Sequence, residues 1–397
     1  MAISERRYAA YLDARTREGL RRGMIGAEAI DARTLRVAGQ TYVNLASNDY
    51  LALRFHPALI ERARDWAEAY GVGSGASRLV TGNLDVFAGL EAKIAALKSK
   101  PTSLILTSGF QANASVLQAL LDHTVLGAEP LVFSDRLNHA SMHFGCAAAG
   151  VKQLRYRHGD AGHLAELLSQ YQGDERPKFI LTESVFSMDG DMAPLGEIGG
   201  LARAHDALLI VDDAHATGIL GEGGRGLSGD ADVVVGTFSK ALGSFGAYVA
   251  CSDGLRDYLI NRCGGLIYST ALPPPVLGAI DAALDLVPAM KAERAHVAAL
   301  ATRFRDGARC LGHDTGASST QIVPVIVGSA EAALAASERL RQAGYWATAI
   351  RPPTVPRGTA RLRLAFNASH QGHDVDRLLE AFDTHAGARD ARAQVLG

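Results

Sequence analysis

The chain has 397 residues, 48% of them hydrophobic and 21% charged, with a formal net charge of −2. That is more length than one small domain uses and enough apolar material for a sizeable core. The balanced charge, with no basic run, argues against nucleic acid as a partner. Cys146, Cys251, Cys263 and Cys310 form no Cys-x-x-Cys pair, so neither a zinc site nor a disulfide framework is indicated, and a reducing, cytoplasmic compartment fits. The amino terminus is charged and amphipathic and does not read as a signal peptide. No apolar run approaches membrane-spanning length, and no membrane is expected.

Residues 3–22 carry helical periodicity, with Tyr8, Tyr11 and Leu12 on one side and basic residues opposite. Residues 34–37 and 42–45 flank Ala38-Gly39-Gln40 as a short hairpin, and the loop Ser47-Asn48-Asp49-Tyr50-Leu51 follows. Residues 56–70 read as a helix that ends in a glycine-rich run at 71–78. That run and Gly221-Glu222-Gly223-Gly224-Arg225-Gly226 resemble a dinucleotide fingerprint. Neither sits between a strand and a helix, so both read as turns close to a ligand.

A strand is expected at 104–106 and an apolar helix at 114–121. The turn between them contains Gly109 and Phe110. A strand, a glycine turn and a helix amino terminus make an anion site, because free N–H groups and the helix dipole point at it. Thr237 can add a hydroxyl from another strand edge. The strand at 131–133 leads to His139 and His143, four residues apart, which is a metal-ligand spacing on a helix. No glutamate accompanies them in the His-Glu-x-x-His manner, and no metal is expected. The strand at 178–186 puts Glu183 and Ser187 at or near its far end.

Two further apolar runs organise the chain. One ends in Asp212, with His215 three residues on; the other, at 232–236, ends in Thr237, Ser239 and Lys240. Short, uncharged runs of Val, Ile and Leu are how strands buried on both faces of a parallel sheet read. Their carboxyl edge is where α/β proteins bind ligands. An aspartate and a lysine there can be buried polar groups at strand ends. They can also hold pyridoxal phosphate (PLP), with the amine in a Schiff base and the carboxylate partnering the pyridinium nitrogen. Residues 248–250 continue the sheet and 267–274 form a loop. A long helical stretch spans 275–310. Strands at 321–327, 345–350 and 361–366 and helices at 331–343 and 373–385 form a small α+β domain. The polar end, 387–397, is expected to fray.

The stretches VDDAHATG and GTFSKALG resemble the cofactor segments of fold-type I PLP enzymes, and of the α-oxoamine synthases in particular. The resemblance runs from about residue 44 to about residue 370. It implies an α/β fold-type I PLP-dependent transferase: a mostly parallel seven-stranded sheet flanked by helices, with a smaller α+β C-terminal domain. The parts would be 1–45, 46–285 and 286–397. It implies pyridoxal 5'-phosphate on Lys240, with Asp212 on the ring nitrogen, His215 on the ring hydroxyl and His139 on the ring face. These four are the expected catalytic residues. Gly109, Phe110 and Thr237 are expected on the phosphate, and Ser187 on the ring hydroxyl or substrate. Ser269 and Thr270 would reach the phosphate of the other subunit, which implies a homodimer with shared active sites. Arg21 would lie near the acyl thioester, Asn48 would contact substrate, and Arg361 would bind the amino-acid carboxylate.

The implied reaction is a decarboxylative condensation of an amino acid with an acyl thioester. The segment from Arg351 to Pro356 is most similar to the branch of biotin biosynthesis that joins L-alanine to a pimeloyl thioester, carried on coenzyme A or an acyl carrier protein. Sister enzymes use glycine with acetyl or succinyl thioesters. A PLP aminotransferase shares the fold and the lysine. A non-enzymatic relative would usually have lost Lys240, and a hydrolase is disfavoured because no Gly-x-Ser-x-Gly elbow occurs.

Overall fold

The computed structural model describes residues 2–393. The chain divides into two compact units, one of Asn48–Ser187 and Asp191–Ala295, the other of Met1–Ser47, Met188–Gly190 and His296–Gly397. The expected piece 1–45 therefore does not stand apart. Its strand Gln40–Asn44 pairs in parallel with Tyr345–Trp346, which ties it to the C-terminal part. The other division falls at 295/296, inside the helix Lys291–Cys310, rather than at 285/286.

The larger unit holds the seven-stranded sheet. Its order is Thr102–Leu106, Ala247–Cys251, Val233–Thr237, Ala207–Asp212, Lys178–Glu183, Leu131–Asp135 and Gln153–Tyr156. Six strands run one way, and Ala247–Cys251 runs against both of its neighbours. The strands Val233–Thr237 and Leu131–Asp135, apolar up to their polar last residues, are buried at every position, because helices cover both faces. Leu104, Val116, Phe179, Ile210 and Val249 belong to one core cluster. The consequence for function lies at one edge. Four adjacent strands end, in order across the sheet, in Thr237, Asp212, Glu183 and Asp135.

Two helices differ from expectation in ways that matter. The helix expected from 114 begins at Gly109 and runs to Leu120, because the Ser108 hydroxyl accepts from Gln111 N at 3.4 Å and caps it. The expected long helix at 275–310 is three pieces: Pro274–Leu286, a 3-10 turn Val287–Ala289, and Lys291–Cys310. Pro288, which has no N–H to donate, sits in the break.

In the smaller unit, Glu28–Ala29, Thr34–Val37, Gln40–Asn44 and Tyr345–Trp346 form one sheet, and Ile322–Gly328, Ala360–Ala365 and Thr348–Ile350 form another. The single strand expected at 345–350 is thus two strands in two sheets. Phe304, Leu362, Leu364, Phe366 and Leu378 pack its core. The first helix, Ile3–Arg17, stops short of residue 22 and buries no residue. The last helix runs Gly372–Ala393, and positions 394–397 of the expected frayed end lie outside the described residues.

Candidate active site

Asp212 and Asp213 end and follow the same strand, and successive side chains leave a strand on opposite sides. Asp212 is held by neutral donors: Asn113 Nδ2 donates to Oδ2 at 2.6 Å and Ala214 N to Oδ1 at 3.0 Å. Asn113 also donates to Ser141 Oγ at 3.0 Å, and Ser141 Oγ lies 2.7 Å from His139 Nδ1. Asp212 and Lys240 both act electrostatically on His139 and on Glu183, so the four groups lie near one another at this edge. Burial pushes the His139 imidazole below its ordinary pKa. Asp212 opposes that and Lys240 adds to it. A neutral, flat imidazole suits a ring-stacking role.

At the same edge, the amino terminus of the helix Gly109–Leu120 meets the end of the Thr237 strand. A Cβ on Gly109 would lie 2.6 Å from Thr237 Cγ2, so only glycine lets the two approach. Thr237 Oγ1 is buried and has no hydrogen-bond partner among the described residues. A lone buried hydroxyl beside first-turn N–H groups that lack intrahelical carbonyls is what a phosphate would satisfy. Gln111 donates from Nε2 to Ser269 Oγ at 2.5 Å and to Gly265 O at 2.9 Å, which brings the 267–272 loop to this helix. Thr270 is exposed and bridges Ser77 through the backbone. Phe110 is half-exposed, its ring centre 5.5 Å from that of Phe144.

His215 is buried, with Nδ1 2.7 Å from the Tyr50 hydroxyl. Tyr50 in turn donates to Asn48 Oδ1 at 3.1 Å. Ser187 is buried in the loop that follows Glu183. His143, the other half of the metal-like pair, bonds Gln153 Oε1 through Nδ1 at 2.7 Å.

The smaller unit carries the two remaining expected residues. Arg361 donates to Asp189 Oδ1 at 2.5 Å, to Met188 O at 3.3 Å and to Thr359 O at 3.0 Å. Arg21 is exposed just past the first helix, with Nη1 3.4 Å from Thr16 Oγ1. Arg22, which sequence reasoning passed over, donates to Thr354 Oγ1 at 2.9 Å in the Arg-Pro-Pro-Thr segment. Asn113 and Tyr50 were also missed. Asn113 gave as its signal a polar side chain inside a largely apolar helix, and Tyr50 its place in the polar Ser47-Asn48-Asp49 loop.

The residues fit pyridoxal phosphate. An orphaned hydroxyl and a helix terminus suit an anion, the buried Asp212 has no ion pair within 4 Å among the described residues, and an amine and an imidazole complete the set. On the carboxyl edge of a mostly parallel sheet these features define a fold-type I PLP-dependent enzyme. The family model for aminotransferase class I and II matches residues 40–382. An 8-amino-7-oxononanoate synthase of Gluconacetobacter diazotrophicus is 56% identical over 357 residues, 89% of this chain and 90% of that one. Among solved structures, a Sphingomonas wittichii serine palmitoyltransferase has a TM-score of 0.89 at 27% identity, covering 96% of this chain and 97% of that one. A serine palmitoyltransferase solved with PLP matches at a TM-score of 0.89 and 26% identity over 96% and 97% of the two chains. The chain belongs to the class I and II aminotransferase family and, within it, to the 8-amino-7-oxononanoate synthases.

Proposed function

We propose that the protein joins L-alanine to a pimeloyl thioester, releasing carbon dioxide and the free thiol and forming 8-amino-7-oxononanoate for biotin synthesis. The observation that carries this reading is the pocket at the sheet's carboxyl edge, set in a chain 56% identical to a synthase of that name.

Lys240 would hold the cofactor's aldehyde carbon through its amine, and Asp212 would face the ring nitrogen. His215 and Ser187 would bond the ring oxygen, and His139 would lie on the ring face. Gly109, Phe110, Thr237, Ser269 and Thr270 would bind the phosphate. When bound, PLP supplies an electron sink for negative charge on the α-carbon.

The chain's own residues do the rest. Asp212, held by neutral donors in a dry setting, favours the positive charge that makes the ring a sink. Arg361 binds the alanine carboxylate, exchanging Asp189 for substrate, and so fixes which α-bond stands perpendicular to the ring. Lys240 would take the α-proton as general base. The α-carbon would then bond to the acyl carbon as the thiolate leaves, the carboxylate held by Arg361 would depart as carbon dioxide, and a proton would return from Lys240 to the α-carbon in its place. Asn48 would contact the substrate, and Arg21 would lie near the acyl thioester.

We also propose a cytoplasmic homodimer with shared sites. Support comes from large apolar side chains left exposed in the larger unit, Val72, Val80, Tyr268 and the neighbouring pair Phe110 and Phe144, which a second copy could cover. The cysteines Cys146, Cys251 and Cys263 are buried and unpaired, as a reducing compartment favours. Among the described residues no helix is long and apolar enough to cross a membrane. The test of the reaction is a competition of alanine with pimeloyl thioester, on coenzyme A and on acyl carrier protein, against glycine with succinyl or acetyl thioester. Alanine and pimeloyl should win by the margin one methyl allows, about 1–3 kcal/mol on the amino-acid side. A preference for either glycine pair overturns the substrate assignment.

A further inference from the structure

Glu183 has no place in the mechanism above, yet it sits at its centre. It ends the strand Lys178–Glu183 and lies opposite Asp212 in the register of the next strand. Its residue is 2% exposed. Oε1 has no hydrogen-bond partner, and the carboxyl faces the backbone N–H of His139. No ion pair within 4 Å includes it among the described residues.

The groups facing it can be named strand by strand. Asp212 ends one neighbouring strand, Asp135 ends the other, and Lys240 lies in the turn after Val233–Thr237. Asp135 already has a counter-charge, because His158 Nδ1 sits 3.1 Å from its Oδ1. Ionised, Glu183 would be a second uncompensated carboxylate beside Asp212, in a place water does not reach. Like charges at such range do not both persist, and a buried charge with one neutral contact is costly.

We propose that Glu183 is a positioning residue that works as an undissociated acid. It holds the His139 turn against the Asp212 strand and leaves Asp212 the one unneutralised carboxylate of the edge. The idea rests on the pocket being the PLP site. Desolvation, with Asp212 adding to it, favours the protonated form in the same direction.

The test uses the holoenzyme and two variants. In Glu183→Gln, a neutral amide replaces a neutral acid. The pH midpoint of the visible band of the Lys240-bound cofactor should stay within about 0.3 units of wild type, and cofactor affinity within roughly threefold. In Glu183→Ala, the His139 turn loses its holder, and cofactor affinity and kcat should fall about tenfold, the size of one lost buried hydrogen bond. Wild-type protein at neutral pH should show the infrared carbonyl band of a protonated carboxyl that Glu183→Gln lacks. A drop of about one unit or more in the Gln variant's midpoint overturns the proposal, because removing an anion near Lys240 disfavours its charged form. So does an absent infrared band, or an alanine variant that matches wild type. If the alanine variant does not fold, the Gln midpoint and the infrared band decide alone. A wild-type protein that shows no visible band with PLP fails the PLP reading instead, and the infrared band still decides the state of Glu183.

Discussion

Asp212 and Asp213 are neighbours in the chain, both buried, and they live in opposite electrostatic worlds. Asp213 is fully enclosed and carries its own cation: Lys98 Nζ lies 2.6 Å from Oδ2, with Ser228 Oγ at 3.1 Å and Leu227 N at 3.2 Å from its oxygens. Burial works against the Lys98 charge, but Asp213 outweighs it and holds the Lys98 pKa above its ordinary value. Asp212 meets an amide and a backbone N–H, both neutral. One side of the strand is complete in itself, while the other is built to be completed by a ligand. The same contrast separates two hydroxyls. Thr217 accepts from Lys98 Nζ and bonds Tyr248 Oη, each at 2.8 Å, whereas Thr237 has no partner. It also separates two histidines. Burial lowers His139, while Asp135 and Asp191 overcome burial at His158 and lift it to about 10.

The contrast can be broken at its strongest point first. Asp212→Asn should cut the rate of α-proton exchange on the order of a thousandfold, about 4 kcal/mol, while the unfolding midpoint stays near wild type. Near-normal exchange would sink the role given to Asp212. On the other side, Lys98→Met should cost about 3–5 kcal/mol of stability, because it strands the Asp213 charge. The double variant Lys98→Met, Asp213→Asn should recover much of that loss. Urea unfolding of the set measures it, and equal loss in single and double variants would dissolve the pairing.

His158→Gln sharpens the histidine contrast. The folded pKa is raised above the unfolded value, so the stabilisation is fully present below about 6.5 and is lost as pH rises towards about 10. The stability gap between wild type and variant should therefore be about 1.5–3 kcal/mol at pH 6 and shrink steadily on the alkaline side. A gap that grows with pH contradicts the assignment. The smallest effect is expected at the hydroxyls. Thr237→Val should weaken PLP binding roughly tenfold, about 1.4 kcal/mol, with no loss of stability in the protein without cofactor. Thr217→Val should do the reverse, and equilibrium dialysis beside thermal unfolding separates the two.

Much of this was legible in the sequence because both signals were local. The runs ending in Asp212 and Thr237 are apolar without interruption, and only a strand covered on both faces reads so. The glycine turn before residue 114 signalled a helix start, although Ser108 moves that start to Gly109. What the sequence could not carry was pairing. Nothing local tells that Ala247–Cys251 lies antiparallel between Val233–Thr237 and Thr102–Leu106, or that residues 345–350 split between two sheets at Ala347. Asn113 was illegible for a related reason. Inside an apolar helix it reads as a tolerated polar residue until the fold brings Asp212 to it.

The reversed strand also sets a schedule for synthesis. Among the described residues Ala247–Cys251 is the strand hydrogen-bonded to both Thr102–Leu106 and Val233–Thr237, so the sheet that brings Gly109 to Thr237 is expected to complete its pairing only once residue 251 has been made. Until then the nascent chain shows two apolar strands with open edges, the kind that pair with other chains. Non-local closure of this sort is slow to form. The place proposed for the cofactor's phosphate is thus expected to be among the last features of the sheet to form.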